Sequence, residues 1–237
     1  GRVLGLRQGL GNDNGNLIAD MADLADSQRR MRRLYRRFVA PGDLVFDVGA
    51  HAGNRTRALA GLGCRVIAVE PQPDFARLLR ALYGRSPRVT VVEAAASHAA
   101  GRAALAVSTR HPTVTTLSHA WRDARRADAD FAGVTWNQTV DVAVTTLDAL
   151  IARFGVPAFI KIDVEGAEPD VLAGLSHAVP VLSFEYLPRA LALAEQCAAR
   201  LDQLGSYRFN WSRGESFAFD TEVWLSRDEL LAALRAP

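Results

Sequence analysis

The stretch that most constrains this chain is LVFDVGAHAGN at residues 44–54. Apolar and β-branched residues lead into Asp47, glycines four apart follow at Gly49 and Gly53, and a helical pattern begins directly behind them. The order is strand, tight glycine turn, helix. A residue without Cβ reaches positive φ freely and keeps bulk out of the turn, so backbone there can approach a ligand. The N–H groups that open the next helix face the same space. In a parallel α/β sheet a nucleotide-like cofactor sits at this point, beyond the carboxyl end of the first strand.

The rest of the chain continues the theme. Residues 65–69 and 89–92 read as a second and a third buried strand, ending at Glu70 and Glu93 with a helix from Asp74 between them. FIKIDVEGAE at 159–168 holds a fourth strand and VLSFE at 181–185 a fifth; helical patterns run at 147–154, 169–175 and 189–204. Strands alternating with helices argue for βαβ units. Residues 207–211 and 217–225 read as an antiparallel pair before a last helix at 227–234. The expected fold class is therefore α/β: a doubly wound, mostly parallel seven-stranded sheet with an antiparallel C-terminal hairpin.

A chain of 237 residues suits one α/β domain, expected over 41–237. Ahead of it, 1–40 divides into a glycine- and asparagine-rich arm (1–16) and an amphipathic helix. Met21, Leu24, Met31, Leu34, Tyr35 and Phe38 follow the 3.6 period, while Arg29, Arg30, Arg32, Arg33, Arg36 and Arg37 cover the other face. That face reads as solvated, or as an anion- or partner-binding surface. Between 108 and 138 the rhythm breaks into a Thr-rich turn and a polar stretch with Trp121 and Trp136. A long excursion of this kind is usually functional, and a lid over an acceptor is the expectation.

The net charge of +2 gives no broad field for polyanions, so nucleic acid is not expected as a partner. No apolar run approaches the ~20 residues needed to span a bilayer. Cys64 and Cys197 lie far apart without metal-ligand spacing, which fits a reducing, cytoplasmic compartment. Association into a homo-oligomer is left open. Lysine is nearly absent: Lys161 is the only one, two residues before Asp163 and on the same face of its strand. Burial there would require a carboxylate partner, with Asp163, Glu185 and Asp47 as candidates.

Asp47, Glu70 and Asp163 all stand at strand ends and should rim a single crevice. Glu70, about twenty residues beyond the glycine turn, is placed to accept the hydroxyls of an adenosine ribose. The turn itself, Gly49-Ala50-His51-Ala52-Gly53, lacks the third glycine of a dinucleotide site. Asp47 would repel a pyrophosphate but suits an ammonium group, which S-adenosylmethionine carries. An NAD-dependent oxidoreductase is the weaker alternative.

DVGAHAGNRT, VIAVEPQP, VEAAASHAAG, TTLDAL and IKIDVEGAE together resemble the FkbM family of S-adenosylmethionine-dependent methyltransferases over residues 41–188. The resemblance implies a Rossmann-like class I methyltransferase fold and O-methylation of a hydroxyl on a sugar, polyketide or other small metabolite. It also implies that Asp47, Gly49, Ala50, His51, Gly53, Asn54 and Thr56 form the methionine-side loop and that Glu70 holds the ribose. Adenine would lie against Pro71 and the backbone of Glu93, Ala94 and Ala95, with Asp163 and Glu165 flanking the reacting methyl.

Methyl transfer to an alcohol asks for alignment and a general base. Asp163 and Glu165 are the first candidates, then Glu185, with His111 and His119 able to swing in. Asp163 has two other readings, as a helix cap and as the ligand of the cofactor amine. Glu168 reads as a first-turn helix acid. A divalent ion on Asp163, Glu165, Glu168 and Glu185 is conceivable, but no metal is expected. The arginine-rich helix keeps an RNA-binding protein or an RNA methyltransferase as a further alternative. The Asn-Pro-Pro-aromatic tetrapeptide of many base-methylating enzymes is absent, Asp163-Val164-Glu165-Gly166 standing in its place.

Overall fold

The computed structural model describes residues 2–7, 17–126, 128 and 131–235. The chain opens with β1 (Arg2–Arg7), α1 (Leu17–Tyr35), β2 (Leu44–Val48), α2 (Asn54–Gly61), β3 (Arg65–Val69), α3 (Pro73–Tyr83) and β4 (Val89–Val92). Next come β5 (Ala95–Ala96), β6 (Gly101–Val107), α4 (His119–Arg126), β7 (Gln138–Thr145) and α5 (Leu147–Phe154). It closes with β8 (Phe159–Ile162), α6 (Glu168–Ala173), β9 (Val181–Tyr186), α7 (Leu191–Leu204), β10 (Arg208–Ser212) and α8 (Arg227–Arg235).

Seven strands form one sheet in the order β10-β1-β9-β8-β2-β3-β4, and every pairing in it is parallel. Its inner strands are nearly unbroken apolar runs because both faces are covered. Phe46, Val48, Ile160 and Ile162 point into a core shared with α5, α6 and α7. Val45 and Phe159 point the other way, into a core with Met31, Leu34 and Tyr35 of α1 and Leu59 of α2. By strand alternation, Asp47 and Lys161 share that second face. The chain runs outward from β2 through β3 to β4, then resumes on the opposite side at β8. The β2/β8 junction is thus the topological switch point, where the carboxyl ends of the strands leave a crevice.

Two sequence expectations fail here. Residues 2–7 are not an arm: they form β1, inserted between β9 and β10, while 8–16 lie outside the described residues. The C-terminal hairpin is absent as well. β10 lies parallel to β1, and of the expected antiparallel pairing only an isolated bridge between Phe209 and Leu225 is found. Phe217 turns through φ 51°, a left-handed conformation that interrupts a strand at that point. The place expected for residues 217–225 is taken by β1. The apolar period of α1 does meet the domain, with Met31, Leu34 and Tyr35 buried in its core.

A smaller sheet, ordered β5-β7-β6, is joined by antiparallel pairing of β6 with β7. The excursion of 108–137 connects those two strands. Val114, Trp121 and Phe131 form its own apolar cluster, against which Trp136, Leu187 and Leu193 pack. The Trp136 indole N–H donates to Val114 O at 2.8 Å.

Candidate active site

The glycine turn brings the tips of β2 and β8 almost into contact. Gly49 adopts φ +77°, and a Cβ there would lie 1.8 Å from the Asp163 carbonyl oxygen. Asp163 N–H in turn donates to Val48 O at 3.1 Å. Gly53, also left-handed at φ +84°, has no room for a side chain beside Leu79 and Tyr83. His51 between them takes φ +46°, an uncommon conformation for a residue with a side chain.

Around this turn lies a cleft of about 1030 Å³, counted to its open mouth. Of the residues assigned to the methionine side, Gly49, Ala50, His51 and Asn54 line it; of those assigned to the adenosine, so do Glu70, Pro71, Ala94 and Ala95. Asp163 and Glu165 line the same cleft. Glu93 does not, its carboxylate being paired with Arg80. Gly53 and Thr56 are buried behind the turn, and Glu185 lines a small adjoining cavity with Trp121, Glu165 and Glu168.

Asp47 requires a correction. It is fully buried, accepts a hydrogen bond from the Thr56 hydroxyl at 2.6 Å, and faces the Lys161 ammonium at 3.3 Å. A carboxylate so placed serves the interior and is not among the groups that line the cleft. Lys161 is equally committed: it donates to Gly49 O at 2.7 Å and sits 3.4 Å from Asp163. Burial opposes its charge, but Asp163 and Asp47 outweigh that and hold its pKa above the ordinary lysine value. The lone lysine therefore ties the tips of β2 and β8 together.

Glu70 crosses beneath the turn. Its two oxygens accept the backbone N–H groups of His51 at 2.7 Å and Gln72 at 2.8 Å. Each oxygen keeps a second lone pair for a ligand. Burial raises its pKa to about 7 in spite of those two hydrogen bonds. The His51 ring rests on Phe75, with centroids 3.8 Å apart, and burial lowers its pKa, which keeps the imidazole neutral.

Beyond β8 the backbone passes through two left-handed residues, Glu165 at φ 56° and Gly166 at φ 87°. Both have a cause. The buried Glu168 carboxylate accepts Val164 N–H at 2.9 Å, closing the loop on itself. A Cβ at Gly166 would meet the Trp121 ring at 2.1 Å, so α4 of the excursion rests directly on this glycine. Glu168 thus shapes the loop, in addition to standing in the first turn of α6.

Burial raises the Glu168 pKa from 4.5 to about 7. Between those values the folded chain keeps a proton that the unfolded chain has released, so stability falls as pH rises through that window. Glu70 contributes with the same sign. Glu168→Gln, which can still accept from Val164, should flatten the decline by at most roughly 3 kcal/mol. Urea midpoints at pH 5 and pH 7.5 measure this; an unchanged slope would clear Glu168 of any part in it.

Carboxylate oxygens of Asp163, Glu165 and Glu185 lie within 4.8 Å of one another. Burial would raise the Asp163 pKa, but Lys161, a hydrogen bond from Glu185 and the Arg55 guanidinium bring it below the ordinary value. Burial, followed by the charges of Asp163 and Glu165, drives Glu185 well above its own. Asp163 is therefore the more readily ionised of the pair, and Glu185 the more readily protonated, donating a hydrogen bond to Asp163.

The excursion closes the cleft from the far side. Pro112 O accepts Gln72 Nε2 at 3.1 Å, and the Thr116 hydroxyl donates to Glu165 O at 2.7 Å. Residues 112–116 thus run from the tip of β3 to the tip of β8, fastened at both. Thr113, Thr115, Thr116 and Leu117 join the lining, whereas His111 and His119 are exposed and do not. Sequence reading missed these threonines and Arg55. Only the position of Arg55, one residue into the helix behind the glycine turn, could have signalled it.

A profile described as Methyltransferase FkbM domain matches residues 47–204. Two curated relatives, each called ribosomal RNA small subunit methyltransferase A, share short stretches. That of Phenylobacterium zucineum is 42% identical over 64 residues, 27% of this chain and 22% of the relative. That of Anaeromyxobacter dehalogenans is 45% identical over 63 residues, 26% and 22%. The chain therefore spans about a fifth of the length of these relatives. Among solved structures, a precorrin-6y C5,15-methyltransferase from Geobacter metallireducens aligns over 84% of this chain and 67% of its own, with 12% identity and a TM-score of 0.34. Among the described residues no helix is long and apolar enough to cross a membrane.

Proposed function

Because the chain belongs to the FkbM methyltransferase family, we propose that it transfers a methyl group from S-adenosylmethionine to a hydroxyl of a small acceptor, a sugar or a polyketide among the candidates. One observation carries the reading: Glu70 and an ionised Asp163 line the same cleft at the switch point of the sheet, on either side of the glycine turn. The fit of that donor is further supported by His51 Nε2 and Thr115 Oγ1, shielded polar atoms that have no partner among the described residues and belong to residues that line the cleft. Bound there, the donor supplies a methyl already activated by its sulfonium.

The chain's own groups do the rest. Glu70 offers its free lone pairs to the ribose hydroxyls, and Asp163 offers a negative charge to the amino group. Glu165, on strained backbone at the edge of the cleft and of the adjoining cavity, takes the proton from the acceptor hydroxyl. Residues 112–116 shield the reacting atoms from water.

Two measurements test this. Labelled methyl from S-adenosylmethionine should enter a fraction of a host metabolite extract, and calorimetry should detect S-adenosylhomocysteine binding that Glu70→Ala weakens about tenfold or more. Absence of binding to the unaltered protein would end the reading; binding indifferent to Glu70 would end only the ribose assignment.

A second reading, an RNA acceptor, draws on the names of the two short-matching relatives and on the exposed Arg29, Arg30, Arg33, Arg36 and Arg37 of α1 and its C-terminal turn. The carboxylates of Glu70, Asp163 and Glu165 in the cleft disfavour a phosphate backbone. A steep fall of RNA affinity with salt would reverse the ranking.

A further inference from the structure

One cation in the cleft has no part in the chemistry above. Among the described residues that line it, the charged bases are Lys161 and Arg55, and Lys161 is spent on Gly49 O, Asp47 and Asp163. Arg55 is placed differently. It stands in the first turn of α2, its side chain only 18% exposed, with Phe217 5.2 Å from its guanidinium carbon.

Its hydrogen bonding is thin for so enclosed a group. Both terminal nitrogens reach the same oxygen of Glu215, at 3.3 and 3.4 Å, and Nε is shielded from solvent with no partner among the described residues. Glu215 itself is 61% exposed, and its other oxygen accepts the Ser27 hydroxyl at 3.5 Å. A guanidinium fork is built to hold two carboxylate oxygens at shorter range. Burial works against its charge, but Tyr35, Asp163 and Glu215 more than compensate, so it stays protonated.

We infer that Arg55 is the carboxylate anchor of this cleft, gripping the amino-acid end of the methyl donor with both arms of its fork and giving up Glu215 to do so. The inference rests on the donor proposed above. An α-amino acid presents an ammonium and a carboxylate on one carbon, and the cleft offers the matching pair: ionised Asp163 for the first, Arg55 for the second. Glu215 is then an internal competitor, held weakly enough to be displaced.

Calorimetry with two ligands separates this from a merely structural arginine. S-adenosylhomocysteine carries the carboxylate; 5′-methylthioadenosine keeps the adenosine and the thioether but lacks the amino-acid end. Arg55→Met should weaken S-adenosylhomocysteine about tenfold or more and leave 5′-methylthioadenosine within about twofold, and Arg55→Lys should recover part of the loss. Glu215→Gln, on an exposed side chain and safe for folding, should tighten S-adenosylhomocysteine about two- to fivefold with no change for the shorter ligand. Equal losses for both ligands in Arg55→Met, or no response of S-adenosylhomocysteine to Glu215→Gln, would overturn the inference while leaving the donor in place. If the unaltered protein bound neither ligand, the donor reading itself would fall.

Discussion

Lys161→Met should lower the stability of the folded chain by about 3–5 kcal/mol, the cost of removing one partner from a buried ion pair. The side chain is 2% exposed and its ammonium stands between two carboxylates, Asp47 at 3.3 Å and Asp163 at 3.4 Å. Methionine fills the volume but leaves Asp47 facing apolar surroundings with only the Thr56 hydroxyl. Adding Asp47→Asn should return part of the loss, because the stranded charge goes with it. Urea unfolding of the two variants measures this, and a deficit under about 1 kcal/mol for Lys161→Met would mean that the pair is far better hydrated than its burial implies.

Gly49→Ala should be the most damaging single change for ligand binding. The residue sits at φ +77°, which alone costs about 1–2 kcal/mol for a side-chain-bearing residue. The new methyl carbon would also lie 1.8 Å from Asp163 O, which is backbone and has no rotamer in which to retreat. The β2 and β8 tips must move apart, and with them Asp163, Lys161 and the His51 N–H that Glu70 accepts. Binding of S-adenosylhomocysteine should fall beyond about a hundredfold. Gly133→Ala is the control: φ is +87° there, but nothing lies within 4 Å of the added carbon, so only the conformational cost remains. Similar behaviour of the two variants would show that the close approach at Gly49 is tolerated.

The middle of the chain was legible because its signals are local. Strands such as VFDV and FIKI are apolar runs that a glycine or an acid ends, and Glu70 and Asp163 can be placed at strand tips from spacing alone. Asp47 shows where that reasoning stops. A carboxylate at a strand tip can point to the crevice or back toward the neighbouring strand, and the choice depended on Lys161, more than a hundred residues away in sequence but beside it in register. The failure at β1 has a related cause. Residues 2–7 are short, carry Gly5, and precede a glycine- and asparagine-rich run, so nothing nearby marks them as sheet. Their pairing partners are in the last third of the chain. The expected hairpin erred the other way, since residues 217–225 have the composition of a strand but Phe217 turns left-handed and the sheet position was already filled.

The seat of β1 bears on how the molecule is made. Residues 2–7 are translated ahead of the other strands of the sheet, and the backbone they join emerges about 180 residues later in β9 and about 200 later in β10. At the usual pace of ribosomes, ~5–20 residues per second, that is a wait of roughly ten to forty seconds. Through it this segment trails as an unmated strip of β-forming chain, open to whatever else in the crowd offers an edge. Because β10 joins the sheet by way of β1 among the described residues, these two strands must find each other before either is safe.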